Sequence, residues 1–170
     1  MLGFLFRGLT ATPSRGAVLF DALTSEARRP HWYVQGQVPD TLDGRFAVLA
    51  SLTALALVRL ESDGDNGNAT CVALTERFIE VMESEHRELG LGDPGLGKTV
   101  RKLVGMLGRR ADLWRAASRS EISWTDATQN ALYRGNADPD ALRHCTAEIE
   151  RVRKRLGRAA LADLEQGKIG

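Results

Sequence analysis

The sequence is poor in the residues that usually carry chemistry. Its 170 positions hold two cysteines, Cys71 and Cys145, and three histidines, His31, His86 and His144. Two thiols exclude a disulfide-stapled scaffold and a cysteine-rich zinc module. Three scattered histidines leave little for a metal, and neither a metal nor a cofactor is expected. An excess of one charge is missing as well. Lys+Arg number 23 and Asp+Glu 22, a net charge of +1, which argues against a globally basic DNA binder and against an acidic disordered chain. Long apolar runs are also absent. The longest, Phe46 to Val58, has 13 residues, against about 20 needed to cross a bilayer, so it reads as a buried helix. No internal repeat, low-complexity tract or alternating strand pattern is visible.

What is present is an ordinary globular composition, 43% apolar and 26% charged. At this length roughly two-thirds of the unfolded surface can be buried, enough for one real core. The first residues, Met1-Leu-Gly-Phe-Leu-Phe-Arg-Gly-Leu9, are apolar but have no basic stretch ahead of them and no small-residue cleavage site. They do not read as a secretory signal. Residues 1–13 are taken as an N-terminal apolar segment. Its Leu2, Phe4, Leu5 and Phe6 either fold onto the core or dip into a membrane surface. Arginine outnumbers lysine 19 to 4, a bias of GC-rich bacterial genomes. The expected location is the cytoplasm of a bacterium, with the periphery of the inner membrane as a further possibility.

The apolar periodicity is helical nearly throughout. A first helix is predicted over 14–28, ended by Pro30, because a proline disfavours helix at the residue before it. The loop Pro30-His-Trp-Tyr-Val-Gln-Gly-Gln-Val-Pro39 follows. A second helix should start at Asp40 or Thr41, either of which can accept a bond from the first free N–H groups. It runs to Glu61, with Leu42, Phe46, Leu49, Thr53, Leu57 and Leu60 on one stripe and Val48, Leu52, Leu55 and Val58 around the rest. A helix apolar all round belongs at the centre of a bundle. Ser62-Asp-Gly-Asp-Asn-Gly-Asn68 reads as a turn-rich loop; it lacks the spacing and closing glutamate of a calcium loop. Further helices are predicted over 70–89, with an acidic outer face, and over 98–119, 124–133 and 138–156, with a frayed tail. The class is all-α: a single-domain bundle of about six helices and no sheet.

Gly92-Asp-Pro-Gly-Leu-Gly-Lys98-Thr99 matches the phosphate-loop pattern. That loop works only between a parallel strand and a helix, where backbone N–H groups wrap the phosphates. Here an amphipathic acidic helix precedes it, and Pro94 removes one N–H. Nucleotide binding is therefore rejected. The carboxylates fall on wet faces at helical spacing, with no sheltered acid–base pair, so no catalytic residue is assigned and a non-enzymatic role is expected.

Two segments resemble a known family. One is Val38-Pro-Asp-Thr-Leu-Asp-Gly-Arg-Phe46 with the apolar helix after it. The other, roughly 45 residues on, is Gly90-Leu-Gly-Asp-Pro-Gly-Leu-Gly-Lys98 followed by Val100 and Lys102. In this order they resemble the ubiquinol–cytochrome c chaperone family, helical factors that assist assembly of the respiratory cytochrome bc complex (complex III). The likeness covers about residues 15–119. The motif positions it marks are Val38, Pro39, Asp40, Asp43, Gly44, Arg45, Gly92, Asp93, Gly95, Gly97 and Lys98. The chain thus divides into the apolar segment 1–13, a chaperone-like domain 14–119 and a helical extension 120–170. The resemblance implies newly made cytochrome b or another complex III subunit as client. Mitochondrial members also associate with a second small factor and with the ribosome near its tunnel exit.

The residues themselves suggest two surfaces. Trp32, Tyr33 and Val34, with Phe46 nearby, either close the core or line a groove for an apolar client helix. Asp40, Asp43 and Arg45 should serve the fold first, as cap and ion pair. From Lys98 to Arg119 the chain carries Lys98, Arg101, Lys102, Arg109, Arg110, Arg115 and Arg119 against the single acid Asp112. Residues 151–158 add five bases and no acid. Such a face is either solvated and partly neutralised by the acidic third helix, or it attracts a ribosome, a membrane surface or an acidic protein. A ribosome- or RNA-binding helical module is the alternative reading.

Overall fold

A segment with no polar face cannot stop at the surface, and residues 42–61 have none. In the computed structural model, which describes residues 15–88 and 96–170, they form the central helix. In chain order the helices are α1 (Arg15–Ala27), α2 (Leu42–Glu61), α3 (Asp65–Glu88), α4 (Leu96–Ser118), α5 (Trp124–Leu132), α6 (Pro139–Arg158) and α7 (Leu161–Glu165). A 3-10 turn at Pro30–Trp32 stands between α1 and α2. No strand occurs among the described residues. Every residue from Val48 to Ala56 is buried, and α2 packs against α1, α3, α4, α5 and α6. Each buried leucine or valine there contributes about 1.5–3 kcal/mol. Two buried hydroxyls, Ser51 and Thr53, interrupt this apolar surface. Ser51 Oγ donates to Ala47 O at 2.7 Å.

The start of α2 is set by its caps. Thr41 Oγ1 accepts from Gly44 N at 3.2 Å, and Asp43 lies in the first turn, where a carboxylate offsets the helix dipole. Ser123 and Asp138 do the same for α5 and α6, and Pro139 occupies the first turn of α6.

Leu103, Leu107, Ala111 and Trp114 of α4 are buried. The Trp114 indole N–H donates to Ser51 O on α2 at 3.0 Å. Its ring stacks on Trp124 with centroids 5.9 Å apart, and the Arg153 guanidinium lies over Trp124 at 5.0 Å. These contacts join α2, α4, α5 and α6.

Two expectations need correction. The stretch 62–68 is not a loop throughout: only the turn before Asp65 is, and α3 begins there, five residues earlier than apolar periodicity suggests. Polar residues are welcome in a first helical turn, where free N–H groups and the dipole favour them. The tail does not fray. Residues 161–165 form α7, and Leu164 and Ile169 are buried. Arg59 of α2 secures this end by donating to Leu156 O at 3.1 Å and Ala159 O at 2.8 Å. Arg155 donates to Gly170 O at 3.0 Å. Leu2, Phe4, Leu5, Phe6, Gly92, Asp93, Pro94 and Gly95 lie outside the described residues. Among the described residues, no helix is long and apolar enough to cross a membrane.

Candidate functional site

The loop before α2 is built around tryptophan. Trp32 is fully buried, and its indole N–H donates to Glu26 O at 3.0 Å. The neighbouring Tyr33 hydroxyl donates to Ala27 O at 2.7 Å. Both aromatics therefore tie the loop back to the end of α1. Burial raises the Tyr33 pKa, with Arg45 and Asp40 as the charges it feels, so the loop and the start of α2 are neighbours. Val38 is buried beneath them. Gly36 sits where a Cβ would meet Cys145 Sγ at 2.4 Å and Trp32 O at 2.5 Å. Its carbonyl accepts from the Tyr133 hydroxyl at 2.6 Å, locking the loop to the end of α5. Burial raises the Tyr133 pKa and pushes the Cys145 thiol up to about 11, so the thiol stays protonated and inert at neutral pH.

The motif Val38-Pro-Asp-Thr-Leu-Asp-Gly-Arg-Phe46 thereby acquires a physical reading. A Cβ on Gly44 would lie 1.8 Å from Pro39 O, so only glycine lets the chain fold back against the helix start. Asp40 and Arg45 form an exposed ion pair at 2.6 Å, which holds the Asp40 carboxyl below its usual range. Asp43 pairs with Arg134 at 3.0 Å. Phe46 is half-buried, 5.9 Å from Phe78 and 6.0 Å from the Arg110 guanidinium. Val34 and Leu42 remain outside, 67% and 48% exposed. Leu42 departs from the inward stripe: it is the first helical residue, six residues before Val48, where the continuously buried stretch of α2 begins. Four large apolar side chains are exposed among the described residues, Val34, Leu42, Val72 and Val104, and two of them belong to this junction.

Behind the loop lies a polar cluster without any local sequence signal. Glu26 is buried, 3.3 Å from Arg29 and 3.0 Å from Arg155 of α6. His31 Nδ1 lies 3.2 Å from His144 Nε2, and His31 Nε2 lies 3.9 Å from Glu26 Oε1. Burial lowers the His31 pKa; Arg29 and His144 push the same way, against Glu148 and Glu26. No group of three metal-binding side chains is assembled among the described residues. A hollow of about 330 Å³ on the outer side of α3, lined by Ala73, Glu76, Arg77 and Glu80, has the Arg77–Glu80 ion pair in its wall.

The cations of α4 divide by face. Arg110 points inward: it donates to Ser51 Oγ at 3.3 Å, Met106 O at 3.2 Å and Ala131 O at 3.0 Å, capping the end of α5. Burial, with the neighbouring Arg109 adding to it, pulls its pKa down to about 10, still a cation at neutral pH. Arg115 is held by Glu61 and by Asp112 at 2.6 Å. Arg119 is paired with Glu121 at 2.6 Å. Lys98, Arg101, Lys102 and Arg109 are exposed, and none has an ion pair or side-chain hydrogen bond among the described residues. No ion pair joins α3 to α4 among the described residues. In the second basic run, Arg151 is paired with Glu148 and Arg155 with Glu26.

Comparison with known proteins now bears on these features. The family model described as Ubiquinol-cytochrome C chaperone matches residues 34–169, a span that takes in the loop–α2 junction and continues through α5, α6 and α7. Among solved structures, the chain is similar to one described as the crystal structure of the Cbp3 homolog from Brucella abortus. The similarity has a TM-score of 0.77 and 27% identity, and covers 100% of this chain and 96% of that one. No curated protein sequence matches.

Proposed function

This chain belongs to the ubiquinol–cytochrome c chaperone family, and from that premise we propose that it assists assembly of respiratory complex III by binding, without making or breaking covalent bonds. The client is newly made cytochrome b, or another apolar segment of the same complex, held at the junction of the aromatic loop and α2. The observation that carries this reading is the exposure of Val34 and Leu42 beside a loop that Trp32, Tyr33 and Gly36 pin to the bundle. Trp32 and Tyr33 act from below, by fixing the loop that presents Val34. Phe46, half-buried beside Arg110, forms the inner edge. An apolar client gains about 25 cal/mol for each Å² of apolar surface it removes from water, and a rigid binding edge loses little ordering entropy when it does so.

Photo-crosslinking tests this directly. A photoreactive residue in place of Val34 or Leu42 should capture cytochrome b in cells that are synthesising complex III. The same residue at Val72, exposed on α3, should capture far less. Equal capture at Val72 and at the junction would remove the assignment of the binding edge.

A further inference from the structure

Four unpaired cations share the outer side of α4. Lys98, Arg101, Lys102 and Arg109 recur at helical spacing, so they form one stripe. No acid lies among them; Asp112, the first after them, is occupied by Arg115. The fold has used the other arginines of this helix, and it has left these four exposed with no acid paired to them among the described residues.

Between the cations stand Gly105 and Gly108. A Cβ at Gly108 would meet nothing within 4 Å, and one at Gly105 would meet only Arg109 Nη1 at 3.8 Å. Neither glycine is required by packing inside the protein, though each weakens a helix relative to alanine. The result is a flattened stretch of backbone flanked by positive side chains. Beside it Val104, three residues on from Arg101, is 44% exposed.

We propose that this face of α4 is where the protein lies on an anionic lipid bilayer. Flat cationic backbone suits a planar array of phosphate headgroups, and the long Lys and Arg stems can spread along it. Val104 favours lipid over RNA. An apolar side chain among cations can enter the boundary between headgroups and acyl chains, whereas a phosphate backbone offers it nothing. The contact is peripheral: attraction is electrostatic and short-ranged, and no segment of α4 inserts. The inference concerns a different surface from the client edge, and vesicles contain no complex III subunit, so the two readings fail separately.

Flotation of the full chain with defined vesicles tests it. The protein should float with phosphatidylcholine vesicles containing phosphatidylglycerol and stay behind with phosphatidylcholine alone. Each neutralised cation should cost roughly fivefold in affinity, so the quadruple Lys98→Gln, Arg101→Gln, Lys102→Gln, Arg109→Gln variant should lose several hundredfold or more. Its helical circular dichroism and melting curve should match wild type, because none of the four makes an internal contact. Val104→Ser should weaken vesicle binding about threefold and leave any binding to RNA unchanged. Vesicle binding that survives the quadruple change overturns the proposal. So does equal flotation with neutral vesicles, or binding to RNA without binding to vesicles, which would make this a nucleic-acid face.

Discussion

Arg109 and Arg110 are neighbours in the chain with the same side chain, and their situations are opposite. Arg110 is enclosed by α2 and α5, where three of its N–H groups meet Ser51, Met106 and Ala131. Arg109 is exposed and has no partner among the described residues. The two faces of α4 repeat this contrast. One face is cemented by Leu103, Leu107 and Trp114; the other carries charge and two glycines whose missing methyls would touch almost nothing. Cations are thus put to two uses in one helix: inward they satisfy the carbonyls that a helix end leaves without partners, and outward they remain free for something else.

The largest effect is expected on the inner face. Trp114→Ala removes a buried ring and its bond to Ser51, and should cost about 3–5 kcal/mol. Chemical denaturation should show a large fall in midpoint; a loss under about 1 kcal/mol would mean that the inner face is not the packed one. The adjacent arginines sharpen the point. Arg110→Ala leaves buried acceptors unpaired and should cost about 2–3 kcal/mol. Arg109→Ala should stay within about 0.5 kcal/mol of wild type in the same titration. Equal costs would erase the distinction between the faces.

The polar cluster behind the loop extends the contrast to pH. His31 has a folded pKa below its unfolded value near 6.5, so the unfolded chain takes up that proton more readily. Its contribution to stability is complete above pH 6.5 and declines as the pH falls below it. Melting temperatures measured between pH 7.5 and 5.5 should drop, and His31→Gln should flatten part of the drop. A small gain is expected at the bare outer face. Gly108→Ala fills open space and should raise stability by about 0.5–1 kcal/mol, read as a modest rise in melting temperature.

Much of the architecture was legible in the sequence because it depends on local pattern. The all-round apolar character of 42–61 identified the central helix, and Thr41, Ser123 and Asp138 marked helix starts through their side-chain oxygens. That Asp40, Asp43 and Arg45 would serve as cap and ion pair could be read from their closeness in the chain, but not that Arg45 takes Asp40 while Asp43 takes Arg134. Other features depend on partners far away in the chain. Nothing near Glu26 announces Arg155, nothing near His31 announces His144, and one of the two atoms that crowd Gly36, the Cys145 sulfur, arrives from the other end of the chain. The basic run 98–119 showed its charge but not its division, since which arginine turns inward is decided by where Ser51 and Ala131 come to rest. Trp32 illustrates the same limit. Its type suggested a contact surface as readily as a core residue, and its full burial leaves Val34 as the exposed member of that loop.

The proposed role of this chaperone-family protein is to serve complex III by binding rather than by catalysis, at the junction of the aromatic loop and α2. The most direct measurement is the amount of assembled complex III, with cytochrome b transcript as control, in cells that lack the gene and are complemented with wild type or with the Val34→Asp, Leu42→Asp variant. The expected result is loss of the complex without loss of transcript, full restoration by wild type, and little restoration by a variant that is folded and present at equal amount. Unchanged complex III in the deletion strain would contradict it.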